Sequence, residues 1–347
     1  MSLVIRRADL TSDRNTIIDI LNRNIPTRRH AAIYEWLYQN NPYGPAETWL
    51  VVNSNTGAAV GTASVFPRPV MLNRKSIPGG LVGDFAIDAG FRSLGPAVLL
   101  QKETITPVSE GRMAITFDAP PDERGMSTFR RMGIPAVGRM LRFAKPIMVD
   151  SRIHPVLGEG PLARGVIALG NGILRLRDRT KKSFMNNFEF HLHPAEFGDE
   201  FTQLEEKICH QYNIYCRRSA EYLNWRYRAD PVNKYEVYVS NGPTGLQAYA
   251  IYREDQKNAY LVDIFGDIDA LRGLLVYSSG IMRKQAVRMI FATVFEGSSI
   301  VPVLKNCGFY FREESHFFVP YLSASGEDRR VAMQKNNWHI AYGDIIP

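Results

Sequence analysis

Apolar and polar residues follow one another in short blocks whose period switches between that of a strand and that of a helix. Leu3–Ala8 reads as a first strand. Thr11-Ser12-Asp13 then offers N-cap side chains to a helix in which Ile17, Ile18, Ile20 and Leu21 would face a core. A second helix is predicted over Arg29–Gln39 and stops at Asn40-Asn41-Pro42-Tyr43-Gly44-Pro45, where proline and glycine forbid continuation. Thr48–Asn53 and Ala58–Phe66 flank Ser54-Asn55-Thr56-Gly57, a hairpin signal, and a further strand pair ends in Gly80–Asp88. A glycine-containing loop leads into a helix from about Pro96 to Pro107, then come a strand over Arg112–Phe117 and a short helix from Glu123 to Met132.

The resulting order is β-α-α-β-β-β-α-β-α-β, and residues 183–325 repeat it loosely. Strand Phe188–His191, helices Glu196–Tyr212 and Ala220–Arg226, and strands Tyr235–Ser240, Gln247–Tyr252 and Asn258–Phe265 come first. Helix Asp269–Lys284, strand Arg288–Thr293, a short helix and Cys307-Gly308-Phe309-Tyr310-Phe311 complete it. The repetition is one of architecture with little repetition of residues. It divides the chain into a first domain over 1–150, a linker with a basic helix over 151–184, a second domain over 185–325 and a C-terminal tail over 326–347.

Composition adds a compartment and a charge asymmetry. The N-terminus lacks the apolar core of a signal peptide, and no apolar run is long enough to span a bilayer, so a soluble cytoplasmic protein is the simplest reading. Cys209, Cys216 and Cys307 have no CxxC spacing and read as free thiols. His191-Leu192-His193 lacks a third ligand, and no metal site is expected. Residues 1–182 hold 25 Lys/Arg against 15 Asp/Glu, a formal +10, whereas the remainder holds 17 against 20, a formal −3. The basic half calls for an anionic partner, which a phosphorylated cofactor, an acidic carrier protein, a nucleotide-linked sugar or RNA would each satisfy.

The chemistry gathers in Ile87-Asp88-Ala89-Gly90-Phe91-Arg92-Ser93-Leu94-Gly95-Pro96-Ala97, between a predicted strand and a predicted helix. Unpaired N–H groups at a helix start and the helix dipole make such a place hospitable to a pyrophosphate. Gly95 lets a ligand approach the backbone, Ala97 keeps the first turn thin, and Pro96 suits the first helical position. Arg92-Ser93-Leu94-Gly95-Pro96-Ala97 resembles the Gln/Arg-x-x-Gly-x-Gly/Ala signature of the GNAT superfamily of acyl-CoA N-acyltransferases. Phe129-Arg130-Arg131-Met132-Gly133-Ile134 similarly resembles that family's Tyr-x-x-x-Gly-Phe segment.

The resemblance implies an α/β chain of two tandem GNAT-like domains, each a mixed, mostly antiparallel twisted sheet flanked by helices. It implies acetyl-CoA or another acyl-CoA as co-substrate, with the pyrophosphate on the loop and the pantetheine arm along Phe85, Ala86 and Ile87. In the second half the corresponding loop reads Gly266-Asp267-Ile268-Asp269, whose carboxylates would repel a pyrophosphate, so that half is expected to be a degenerate repeat. Trp36-Leu37-Tyr38-Gln39-Asn40-Asn41-Pro42 and Tyr222-Leu223-Asn224-Trp225-Arg226-Tyr227 are similar to segments of tandem members linked to surface-polysaccharide synthesis.

Acyl transfer to an amine needs a base for the amine proton and an acid for the leaving thiolate. In the family a carboxylate on or near the strand before the loop often serves as base; Asp84 is the first candidate here and Asp118 the second. Phe129 stands where the family often has a tyrosine acid, so water or another hydroxyl must protonate the thiolate. The acceptor implied is a small-molecule or glycan-precursor amine, such as an amino sugar, with an acyl carrier protein as a possible partner. The alternatives are an aminoacyl-tRNA-dependent transferase, disfavoured by the pyrophosphate loop, and a non-catalytic acyl-CoA sensor. Binding of nucleic acid is not expected.

Overall fold

The apolar blocks assemble into one continuous sheet. A computed structural model describes residues 3–158, 160–179, 187–323 and 326–345. Its strands are β1 (Leu3–Arg7), β2 (Glu47–Asn53), β3 (Ala59–Pro67), β4 (Val70–Leu72), β5 (Lys75–Ile77), β6 (Gly79–Ile87), β7 (Ile115–Asp118), β8 (Gly138–Pro146), β9 (Glu189–Leu192), β10 (Ile214–Cys216), β11 (Tyr235–Gly242), β12 (Gly245–Asp255), β13 (Asn258–Gly266), β14 (Met289–Phe295), β15 (Tyr310–Leu322) and β16 (Trp338–His339). Twelve form the main sheet in the order β1-β2-β3-β6-β7-β15-β8-β14-β13-β12-β11-β9.

From either end inward the sheet has the same plan. Three antiparallel pairings lead to one parallel pair, β6/β7 in the first half and β13/β14 in the second, and an antiparallel strand follows. That inner strand is exchanged between halves. β8 pairs with β14, whereas β15 pairs with β7 through Val319–Leu322 and with β8 through its earlier residues. Residues 138–146 of the first sequence unit therefore complete the second half of the sheet. A smaller sheet, β16-β10-β4-β5, joins the halves again.

Helices cover both faces, which is why β3 and β13 are buried along nearly their whole length. In the first half these are α1 (Arg14–Asn24), α2 (Ala31–Tyr34), α3 (Leu94–Ser109) and α4 (Glu123–Arg131). The 150–184 segment forms α5 (Asp150–Leu157) and α6 (Pro161–Arg179); Lys181 and Lys182 lie outside the described residues. In the second half α7 (Asp199–Ile208), α8 (Ala220–Leu223), α9 (Ile268–Lys284) and α10 (Ile300–Asn306) follow, and then α11 (Glu327–Ala332) and α12 (Tyr342–Ile345). The residues set apart in the sequence as a tail are drawn into the fold: Trp338, Ile340, Ala341 and Ile345 are buried. Trp338, Ile340 and Ile345 pack in one cluster with Leu81, Phe117, Met140, Phe295 and Phe318, between the two halves.

The halves also meet through the two tryptophan-containing segments that the sequence reading singled out together. α2 and α8 each continue into a wide helical turn, Glu35–Gln39 and Asn224–Arg228. Trp36 and Trp225 sit at equivalent places in these turns, and each indole donates to the other's carbonyl oxygen, at 2.8 and 3.0 Å.

Candidate active site

β6 and β7 are hydrogen-bonded only from Gly79–Leu81 to Ile115–Phe117, and then they part. Two local causes are visible. Pro120 and Pro121 follow β7 and have no N–H with which to continue a ladder. On β6 the register against β3 slips between Thr62 and Ser64, and Asp84 sits there with φ +48°, an unusual left-handed residue inside a strand. Between the strands lies a cavity of about 600 Å³. Val82–Ile87 form one wall, Asp118–Asp122 the other, and Arg124 to Phe129 of α4 close one side.

Asp118 ends β7 at this opening and is half-buried. Withdrawal from water pushes its carboxyl up to about 7, while the Ala119 backbone N–H and the Gln101 amide pull the other way. Its protonation therefore changes near neutral pH, where a group that takes and returns a proton is most effective.

Asp84 also lines the cavity, but its carboxylate is already occupied. Arg29 donates to both oxygens, at 2.7 and 3.2 Å, and the Tyr38 hydroxyl donates to one at 2.8 Å. Burial, with the Asp84 charge acting in the same direction, raises the Tyr38 phenol well above its ordinary value. Three of the carboxylate's hydrogen-bond sites are thus taken within the fold.

At the wider end, α3 starts at Leu94, two residues earlier than predicted, so Pro96 is third in the helix and not first. It still falls within the turn whose N–H groups have no helical partner. Ser93 is the N-cap residue, yet its side chain makes no capping hydrogen bond. Gly95 has an ordinary backbone conformation, and a Cβ there would meet nothing within 4 Å. Neither strain nor packing asks for glycine at this position. Arg92 does not reach freely into this space: its guanidinium donates to Ile87 O and Asn24 Oδ1, both at 2.8 Å, and ties the loop to β6 and α1.

Of the residues singled out in the sequence, Asp84, Phe85, Ala86, Ile87, Arg92, Ser93, Ala97, Asp118 and Phe129 line the cavity. Gly95 and Pro96 stand just outside it, beside Leu94 at the helix start. Phe129 is buried against Met126, Phe317 and Val319. The lining hydroxyls belong to Ser93, Ser127 and Thr128; the last two donate back to Arg124 O and Gly125 O within α4. Gln101, Arg124 and Ile345 are lining residues that sequence reasoning missed. Arg124 carried a signal, since Pro120-Pro121-Asp122 announces a helix start and Asp122 does cap α4, accepting from Gly125 N.

The same construction recurs in the second half with different contents. β13 and β14 pair from Asn258–Leu261 to Met289–Ala292 and then diverge. The gap is filled by the chain's own C-terminal segment: Ala341 bridges Val294, Phe295 N donates to Ile340 O, and His339 Nε2 contacts Ile264 O at 3.0 Å. Gly343 packs so tightly on Tyr227 that a Cβ would collide with its hydroxyl. Asp263 stands where Asp84 stands in the first half, accepting from Arg218 and from the Tyr227 hydroxyl. At the start of α9, Asp267 accepts from Asp269 N and Ala270 N, so its own carboxylate takes the first-turn N–H groups.

No family model matches the sequence, and no curated protein resembles it closely enough in sequence to be matched. Solved structures do resemble it. A GCN5-related N-acetyltransferase from Anabaena variabilis has a TM-score of 0.64 at 11% identity, with 92% of this chain and 73% of that one covered. A protein of Enterococcus faecalis V583 described as a probable N-acyltransferase gives 0.62 at 10% identity, covering 92% and 72%. Saccharomyces cerevisiae N-myristoyltransferase with bound myristoyl-CoA gives 0.58 at 15% identity, covering 92% and 82%. With its parted parallel strands, the bulge at Asp84 and the loop-to-helix turn at Arg92–Ala97, the chain has the fold of the GNAT superfamily.

Proposed function

We propose that the protein transfers an acyl group from an acyl-CoA thioester to an amine, in the cavity between β6 and β7. The observation that carries this reading is the juxtaposition, in one open cleft, of an uncapped helix start and a carboxyl that titrates near neutrality. The yeast structural neighbour holds myristoyl-CoA, in keeping with an acyl-CoA donor. The pyrophosphate lies at the first turn of α3, where Gly95 leaves room, and the pantetheine arm follows the unpaired side of Phe85–Ile87. Asp118, not Asp84, takes the amine proton as nitrogen attacks the thioester carbonyl. The tetrahedral intermediate then expels the thiolate, which takes a proton from water, and Asp118 gives the amine proton back to solvent, so that the enzyme returns to its starting state. Asp84 acts as a positioning residue through Arg29 and Tyr38 at the bulge.

A binding protein that never turns over is the second reading, favoured by Phe129, which has no proton to give. Release of free thiol from acyl-CoA, with a panel of amines that includes amino sugars, separates the two. Under the enzyme reading Asp118→Asn lowers kcat by on the order of 10²-fold or more. With an acceptor that stays neutral throughout, wild-type kcat/KM rises as pH passes through about 7, and the variant loses that rise. A raised carboxyl destabilises the fold progressively as pH rises from its unfolded value toward 7, so Asp118→Asn should melt no lower than wild type in mildly alkaline buffer. Normal turnover by Asp118→Asn would remove it from the mechanism.

A further inference from the structure

The buried face of α3 is apolar except at two positions. Leu100 and Val108 join the cluster built on β2, β3 and β6, and between them Gln101 and Thr104 are 3% and 0% exposed. Both find partners. The Gln101 amide nitrogen donates to Thr104 Oγ1, and the Thr104 hydroxyl donates to Gln101 O, each at 2.8 Å. The second bond governs the first: a hydroxyl has one proton, the backbone takes it, and Thr104 can then only accept from the amide. Gln101 is thereby held with its nitrogen toward Thr104, and that nitrogen has one further N–H. Gln101 also lines the cavity, where its amide donates to the Asp118 carboxyl.

A carboxylate offers about four lone-pair sites. On Asp118 the Ala119 backbone N–H and the Gln101 amide take part of them, whereas Asp84 gives up three to Arg29 and Tyr38. The other charged groups around Asp118 are engaged elsewhere or stand apart. Asp84 is held by Arg29, Arg92 by Ile87 O and Asn24, and Asp344 by Arg68 and Arg218; Asp122 caps α4, and Arg124 is exposed. On α3, Lys102 and Glu103 lie about 100° and 200° around the helix from Gln101. β15 sets Val319 opposite Asp118, and its Tyr321 lies opposite Thr116. What acts on Asp118 is therefore burial, which favours the neutral form, and the two donors, which favour the carboxylate.

We propose that Gln101, held by Thr104, is a positioning residue that turns the Asp118 carboxylate toward the incoming amine, an inference that rests on the acyl-transfer reading. The amide anchors one part of the carboxylate, leaves the rest open to the cleft, and keeps the group ionised at a pH where burial alone would leave it protonated. The experiment follows the Asp118 carboxyl by carbon-13 NMR in the full chain, its resonance identified by its loss in Asp118→Asn. The wild-type midpoint is expected at about 7. Gln101→Met keeps the length of the side chain without the donor and should raise the midpoint by roughly one pH unit. Thr104→Val frees the amide to turn and should raise it by less, whereas Thr104→Ser, which keeps the hydroxyl, should titrate as wild type. A residue with a packing role alone would lower the melting temperature and leave the midpoint in place. With an acceptor that stays neutral throughout, kcat/KM of Gln101→Met should fall roughly fivefold at pH 7, the change in ionised fraction for a one-unit shift, and regain the wild-type plateau above about pH 9.

An unchanged or lowered midpoint in Gln101→Met would overturn the proposal, as would a shift in Thr104→Ser equal to that in Thr104→Val. The titration is read without substrate, so its failure and that of the acyl-transfer reading are told apart. A shifted midpoint with no transfer to any amine removes the reaction and with it the positioning role; an unshifted midpoint with normal transfer removes Gln101 alone.

Discussion

Where β6 parts from β7 the sheet holds an open cavity; where β13 parts from β14 it holds the chain's own last residues. The two clefts share a construction down to single side chains. Each has a carboxylate on the strand before the gap, Asp84 or Asp263, held by an arginine and by a tyrosine from the wide turn. They differ in what satisfies the polar groups that parting exposes. In the second half Asp267 takes the first N–H groups of α9, and Asp344 is fixed between Arg218 and Arg68, at 2.6 and 2.8 Å. In the first half the corresponding helix start has no capping side chain. A cleft answered from within the chain is a structural joint, and one left unanswered is available to a ligand.

The comparison is most directly broken by counting cofactors. Calorimetry with CoA should find one site per chain, and Gly95→Glu should abolish it, since the new carboxylate would occupy the approach to α3 without disturbing the fold. Asp267→Asn and Asp269→Asn should leave binding as it was. Two equivalent sites would mean that the second cleft opens in solution.

Stability gives the next largest contrast. Asp344→Asn leaves the guanidiniums of Arg218 and Arg68 buried with part of their charge unanswered, and breaking such pairs costs about 3–5 kcal/mol. Asp84→Asn breaks an equally well-formed pair, but the Arg29 side chain is 11% exposed against 0% for Arg218, so water can reach it and the loss should be smaller. Urea unfolding of both variants ranks them. An equal loss would show that the open cleft is as dry as the filled one.

Much of this was written in the sequence, and what was not has identifiable causes. Strands such as Glu47–Asn53 and Gly79–Ile87 and the turn at Arg92–Ala97 were legible because period and turn chemistry are local. The exchange of β8 and β15 was not, because which edge a strand joins is a long-range choice that leaves no mark on its own pattern. Residues 326–347 read as a tail since Trp338, Ile340 and Ile345 are too few and too scattered to show a period, yet all are buried. The likeness of the halves was available in part: Trp-x-Tyr-x-x-x-Pro occurs at Trp36–Pro42 and again at Trp225–Pro231. Asp84 drew attention as a base because its position in the strand was readable while its partner Arg29, 55 residues away, was not.

Acid should act on the two clefts with opposite sign. His339 is buried in the filled cleft, with Nε2 on Ile264 O and Nδ1 by the Ser298 hydroxyl. Burial, reinforced by Arg218, lowers it to about 3. The unfolded chain takes up that proton first, so the stabilisation is complete above about pH 6.5 and is lost as pH falls toward 3, at up to ~1.4 kcal/mol per unit. Asp118, raised in the open cleft, contributes its stabilisation at low pH and loses it as pH climbs through about 7. Urea midpoints between about pH 7 and pH 5 should therefore fall less steeply in His339→Gln than in wild type. An unchanged slope would show that the C-terminal segment leaves its cleft before His339 titrates.

The smallest expected effect tests the likeness itself. Trp36 and Trp225 lie 5.2 Å apart between ring centres, and each indole N–H donates to the other's backbone oxygen. Replacing either by phenylalanine removes one such bond and keeps an aromatic ring, a change of about 0.5–1.5 kcal/mol per bond. Because the two bonds are equivalent, Trp36→Phe and Trp225→Phe should cost nearly the same, despite lying 189 residues apart in different sequence units. The rings are in contact, so the double variant should depart from the sum of the singles by more than the few tenths of a kcal/mol expected of independent sites. Strict additivity would mean that each tryptophan is held by its own half, and that the reciprocal bonds do not couple the open cleft to the filled one. A large coupling would show that the contact between the two halves is a shared one, which neither tryptophan makes without the other.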